Sequence, residues 1–192
     1  MNVHVIFAHP QKSSFTASVH RVVVTSLTQA GHEVADLDLY RERFQPCLSA
    51  RERATYYSKP APAALARFIK PLRQAEALVF IFPVWWFGPP AILKGYLERV
   101  WRAGVAYDLK GGDLKPRLKN IKRVTVITSY GAGAAEIRAM GDPVRQVFDA
   151  GLKALCSPKA RLDWHPLYNV ETCGAAARKT FLDDVARKMA RV

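Results

Sequence analysis

The run Ala77-Leu78-Val79-Phe80-Ile81-Phe82 constrains this chain more than any other stretch, because consecutive apolar residues leave no face for water. A strand of that kind must be covered on both sides, the condition of a central strand in a parallel sheet. The apolar run continues to Trp86 and Phe87, but it contains Pro83 and is too short to span a bilayer.

Other elements alternate around this strand. Residues 2–8 form an apolar, β-rich segment that opens directly into His9-Pro10 and a polar loop. A helix is predicted over 15–30, with Ser13 or Ser14 as N-cap and Gly31 as its stop. Residues 33–39 alternate apolar and polar over part of their length and read as a second strand. After a loop holding Pro46, Pro60 and Pro62, a helix is expected over 63–75. Pro89-Pro90 starts a helix reaching Arg102, since proline is tolerated in a first turn. A strand over 121–128, a helix near 143–155, a strand near 160–166 and a helix near 175–190 complete the chain. Alternating strands and helices imply an α/β three-layer sandwich. Five strands suit a parallel sheet of order 2-1-3-4-5, the flavodoxin-like arrangement, in one domain over 1–192.

Composition narrows the class. With 49% hydrophobic and 23% charged residues, the chain is that of a water-soluble globular protein. Three cysteines without close pairing argue against a disulfide framework or a zinc site, and suit a reducing cytoplasm. No signal peptide or transmembrane helix is evident. The net charge of +13 raises the question of a nucleic-acid partner. The basic residues are dispersed and often sit near acids, as in Arg51-Glu52-Arg53, so a solvated basic surface that attracts anionic cofactors is expected, with no nucleic acid.

In an open parallel sheet, ligands bind beyond the carboxyl ends of the strands where strand order reverses. That rule selects three loops. The first, His9-Pro10-Gln11-Lys12-Ser13-Ser14-Phe15-Thr16-Ala17, offers hydroxyls, backbone N–H groups and a positive helix end to a phosphate. The serines could equally do no more than cap the helix, and a loop histidine is more often structural than a ligand. The second, Pro83-Val84-Trp85-Trp86-Phe87-Gly88, has three consecutive aromatics that cannot all face one core, so at least one is expected to line an opening for a flat conjugated ligand. The third, Thr128 to Ala134, has two glycines and two small alanines that permit close backbone approach.

These residues carry a family resemblance. The chain resembles the NAD(P)H:quinone oxidoreductases, the DT-diaphorase-like or flavodoxin-2-type reductases. The match lies in His9-Pro10 with Ser14-Phe15-Thr16-Ala17, in residues 30–34, in Asp38-Leu39-Tyr40 with Phe44 and Pro46, and most specifically in residues 82–100. Residues 104–108 continue it, and the last third matches only loosely. The resemblance implies a flavin, FAD by preference with FMN possible. NADPH or NADH would reduce it, and a quinone or similar acceptor would reoxidise it in a ping-pong cycle. It places His9, Ser14, Phe15, Thr16 and Ala17 at the flavin phosphates. Pro83, Val84, Trp85, Trp86 and Phe87 would hold the ring system, with Thr128, Ser129, Gly131 and Ala132 at its pyrimidine edge. It also implies a homodimer in which Tyr107 reaches the neighbouring pocket.

Two departures stand out. Tyr130 interrupts the Thr-Thr-Gly-Gly common at the third loop, and residues 135–142 lack the tyrosine and histidine that serve better-known members as a proton relay. No catalytic acid is therefore assigned, leaving Tyr130 or water as the candidates. Two other roles use the same motif: an ancillary redox subunit of a potassium-efflux system, and a flavodoxin-like electron carrier, which would usually be acidic.

Overall fold

The computed structural model describes residues 1–58 and 60–192. In chain order it contains β1 (Asn2–Phe7), α1 (Phe15–Gln29), β2 (Glu33–Asp38), α2 (Ala50–Ala54), α3 (Ala66–Gln74), β3 (Ala77–Pro83) and α4 (Ala91–Val100). There follow β4 (Tyr107–Lys110), β5 (Asp113–Pro116), β6 (Arg123–Ser129), α5 (Ala134–Ala139), α6 (Pro143–Gln146), β7 (Arg161–Leu167) and α7 (Gly174–Met189). The main sheet runs β2-β1-β3-β6-β7 with every pair parallel. With the β4–β5 hairpin set aside, this is the expected 2-1-3-4-5 order.

The apolar run behaves as its sequence requires. All seven residues of β3 are buried, and successive side chains enter opposite layers. Leu78, Phe80 and Phe82 join one core with α3 and α4, whereas Ala77, Val79 and Ile81 join the other with α1 and α7. The covering helices show the matching 3.6-residue spacing: Leu93, Tyr96, Leu97 and Val100 on α4, and Val19, Val23 and Leu27 on α1. Because α1 follows β1 onto one face and α4 follows β3 onto the other, the crevice opens between the carboxyl ends of β1 and β3.

Several local features differ from the sequence reading. Ser49 and Glu52 form a reciprocal capping box that starts α2, a short helix not expected there. Gly111 and Gly112, at φ +61° and +89°, close the two-residue turn of the β4–β5 hairpin, which was also not anticipated. The single helix expected near 143–155 is instead α6, a widened π-helical stretch over Val147–Leu152, and a final tight turn over Lys153–Leu155. The widening lets Phe148 pack fully buried against Phe80 and Phe82. α5, at 134–139, occupies a stretch to which no element was assigned.

Candidate active site

The three loops do meet. Pro83, Ser129 and Leu167 stand in register at the ends of β3, β6 and β7, while Phe7 pairs with Ile81. The Val84 N–H donates to the Ser129 carbonyl at 2.8 Å, and the His9 and Trp85 rings lie 5.8 Å apart. First, second and third loops therefore share one edge of the sheet.

At the first loop, α1 begins with an ordinary cap. Ser14 Oγ accepts from the Ala17 N–H at 3.1 Å, so the capping role is realised, and Ala17 is a buried packing residue. The N–H groups of Phe15 and Thr16 have no backbone acceptor among the described residues, as expected of a first helical turn. Burial pushes the His9 imidazole below its usual pKa, partly offset by the Gln11 carbonyl. His9 Nδ1 lies 3.0 Å from the Gln11 nitrogen and 3.2 Å from its carbonyl oxygen; in the tautomer that accepts the Gln11 N–H, Nε2 carries the proton and can donate outward.

Residues 158–192, where the sequence reading found little, also contribute here. Phe181 of α7 packs on Phe15, and the Arg178 guanidinium lies 6.0 Å from the Phe15 ring centroid. Arg178 Nη2 donates to the Val170 carbonyl at 2.5 Å, while its Nε is buried without a partner among the described residues. A cation held beside free helix-start N–H groups is suited to an anion. Its only sequence signal was a lone arginine in a weakly patterned helix.

The second loop is the least ordinary piece of backbone in the molecule. Trp85 and Gly88 exchange two N–H···O=C bonds of 3.0 Å, closing a turn in which Trp86 and Phe87 adopt φ +50° and +56°. Both central residues are thus in the left-handed region usual for Asn-Gly or Gly-Gly, where a bulky side chain costs about 1–2 kcal/mol. The turn leaves the N–H groups of Trp86 and Phe87 without a backbone acceptor among the described residues. It also holds the Trp86 side chain almost wholly in solvent, at 98% exposure. Strain of this kind, with an aromatic forced outward, marks a binding surface rather than a core.

The third loop faces it across a cavity of about 530 Å³, walled by residues 84–87 on one side and by Tyr130, Gly131, Ala132 and Ile137 on the other. Pro83 itself is buried in the β3–β6 ladder and only sets the turn's direction. Thr128 and Ser129 lie in β6 and are buried, and the Thr128 hydroxyl donates inward to the Phe82 carbonyl at 2.7 Å. Neither lines the cavity; of the four third-loop residues expected at the ring, Gly131 and Ala132 do. A Cβ on Gly131 would sit 3.1 Å from Glu171 Oε2, so the glycine admits the loop after β7 to this edge, a contact the sequence did not suggest.

Tyr130 is a clamp. Its ring stacks on Tyr168 at 5.1 Å, and its hydroxyl donates to Asp142 Oδ1 at 2.7 Å. Burial first, then the Asp142 carboxylate, holds the phenol neutral far above its usual range. A hydroxyl so committed is a poor proton donor to a substrate, which leaves water as the candidate proton source.

The residues fit a flavin. Outward donors at the start of α1, His9 Nε2 and Arg178 suit phosphate, and an aromatic cavity with free backbone N–H groups at its lip suits a flat polar ring. Among the described residues no cluster of His, Cys, Asp or Glu could hold a metal ion, and no helix is long and apolar enough to cross a membrane.

Comparisons with known proteins agree with this geometry. The flavodoxin-2 family model, described as a flavodoxin-like fold, matches residues 1–157. NAD(P)H dehydrogenase (quinone) 1 of Cavia porcellus is 35% identical over 145 residues, which cover 67% of this chain and 53% of that protein. Among solved structures, Smu.1420 from Streptococcus mutans UA159 superposes with a TM-score of 0.90 at 29% identity, covering 100% of both chains. The NAD(P)H:quinone oxidoreductase from Methanothermobacter marburgensis superposes at 0.83 with 28% identity, covering 100% of this chain and 96% of that one. The chain spans about half the length of the curated relatives it first matches, 53–55%.

Proposed function

The chain belongs to the flavodoxin-2 family, whose model spans 157 of its 192 residues, and from that premise we propose that it is a flavin-dependent NAD(P)H oxidoreductase acting on quinones or related acceptors. The observation that carries this reading is the left-handed Trp86-Phe87 turn, which presents exposed aromatic surface and free N–H groups to a cavity near the start of α1. The names of two similar proteins, a quinone dehydrogenase and a quinone oxidoreductase, support the same chemistry.

The bound flavin supplies hydride transfer between donor and acceptor. The protein's own residues bind, orient and exclude water. His9 Nε2 and the N–H groups of Phe15 and Thr16 donate to phosphate and the Arg178 guanidinium balances its charge, with FAD the preferred flavin and FMN the alternative. The free N–H groups of the 85–88 turn hold the ring's polar edge, and Gly131 and Ala132 let backbone approach the other side. Trp85, Trp86 and Phe87 form an apolar wall against which donor and acceptor take turns in one cavity. With the Tyr130 hydroxyl engaged by Asp142, the proton that a reduced quinone needs comes from water.

A second copy of the chain completes the site. A tryptophan left 98% exposed beside the cavity favours a partner surface that covers it. Tyr107, at the start of the hairpin, is the residue we assign to the neighbouring pocket. The three free thiols Cys47, Cys156 and Cys173 are in keeping with a reducing, cytoplasmic setting. The test is steady-state oxidation of NADH and NADPH against quinones, nitroaromatics, azo dyes and free flavins. Turnover of quinones with bound flavin is expected; oxidation of neither donor by flavin-loaded protein would sink the enzyme reading.

A further inference from the structure

A second concavity lies away from this edge. It has a volume of about 670 Å³, larger than the aromatic cavity, and shares no lining residue with it. Its walls come from the segment before α3, from α3 itself, from Gly104 in the connection between α4 and the hairpin, and from Arg117 just after the hairpin. Pro60 and Pro62 form a stiff apolar side, since each fixes its own φ, and the buried Ile69 lies beneath. Among the described residues of the lining, the charged ones, Lys70, Arg73 and Arg117, are all cations.

Two of the three are held in place. Arg73 Nη2 donates to the Gly104 carbonyl at 3.0 Å, and Asn120 Nδ2 donates to the Arg73 and Ala75 carbonyls, pinning the end of α3. Arg117 pairs with Asp108 at 2.6 Å, whereas no acidic side chain pairs with Lys70 or Arg73 among the described residues. Like charges gathered in a concavity repel one another, and low-dielectric walls focus their field outward. A single anion between them relieves that repulsion and takes charge-assisted hydrogen bonds from each. The apolar side asks for more than an inorganic ion: proline rings offer a flat surface to a planar base.

We propose that this concavity is a second binding site, for a nucleoside phosphate whose phosphates lie among Lys70, Arg73 and Arg117 and whose base lies against Pro60 and Pro62. The site does not depend on the oxidoreductase reading, because it shares no residue with the aromatic cavity. The probe is ADP, titrated calorimetrically into flavin-loaded protein, with adenosine and inorganic pyrophosphate as the other arms.

ADP is expected to bind with one-to-one stoichiometry, more tightly than either partial ligand and more weakly as salt rises. Lys70→Glu reverses one of the three charges at an exposed position, so the fold should survive; it should weaken ADP by about tenfold or more, equivalent to about 1.4 kcal/mol. Arg117→Gln gives an independent second loss. Three results would overturn the proposal: no heat from ADP, ADP affinity unchanged in Lys70→Glu (which would place ADP in the aromatic cavity), or pyrophosphate binding as tightly as ADP.

Discussion

Single side chains separate binding from stability at this site. Trp86 contributes almost no burial to the chain, so Trp86→Ala should leave the unfolding free energy from urea denaturation within about 0.5 kcal/mol of the parent. The same change removes a large part of the aromatic wall, and kcat/KM for NAD(P)H should fall about tenfold for each ~1.4 kcal/mol of lost interaction. Flavin retention after gel filtration should fall with it. His32 and His165 are the controls. His32 lies at the surface near the N-terminal amine, and His165 in β7 is held below its usual pKa by burial and then by Lys188. Alanine at either should leave turnover intact; loss of turnover in either folded variant, with full activity in Trp86→Ala, would show the site misplaced. The aromatic run was legible from sequence because three such residues cannot share one core direction. The left-handed backbone that aims them was not, since nothing in Trp86-Phe87 signals a turn normally built from asparagine and glycine.

At the scale of elements, two contacts carry consequences. Gly95 brings α4 against the Pro46 segment so closely that a Cβ would fall 2.2 Å from the Pro46 carbonyl oxygen and 2.5 Å from its Cα. Backbone cannot yield as a flexible side chain can, so Gly95→Ala should destabilise by about 3 kcal/mol or more, read as a lowered urea midpoint. β1 carries the second. His4 is buried, with Nδ1 2.9 Å from the Ala35 carbonyl, and burial lowers its pKa to about 4. The unfolded chain, titrating near the ordinary 6.5, then binds more protons than the folded one below that pH. Stability should be full above pH 6.5, fall progressively toward pH 4 by roughly 3 kcal/mol, and flatten in His4→Gln. Urea denaturation at a series of pH values measures this. His9 and His165 shift the same way and add to the slope. Long apolar or amphipathic runs made β1, β3, α1 and α4 readable, whereas α2 and the hairpin are short and exposed. Their signals, a Ser-x-x-Glu box and a Gly-Gly pair, were present, but no apolar pattern drew attention to them. The broken helix over 143–155 follows from tertiary packing of Phe148, which local sequence does not report.

For the molecule as a whole, the sheet order was derivable because alternating strands and helices admit few parallel topologies, and the order then dictated where the site must be. What escaped was the contribution of α7, since Arg178 acquires its meaning only when α7 docks beside α1. Static light scattering at micromolar concentration should report a homodimer, and a fully active monomer would contradict a shared pocket. The central claim is that the edge formed by His9, the 85–88 turn and Gly131-Ala132 holds a flavin that NAD(P)H reduces. Anaerobic titration of the purified, flavin-loaded protein with NADPH or NADH tests it directly, by following the visible absorbance of the bound flavin. The account predicts complete bleaching at one equivalent of donor per chain and return of colour on adding a quinone. A protein that binds neither FAD nor FMN, or whose bound flavin keeps its colour under excess donor, would contradict it.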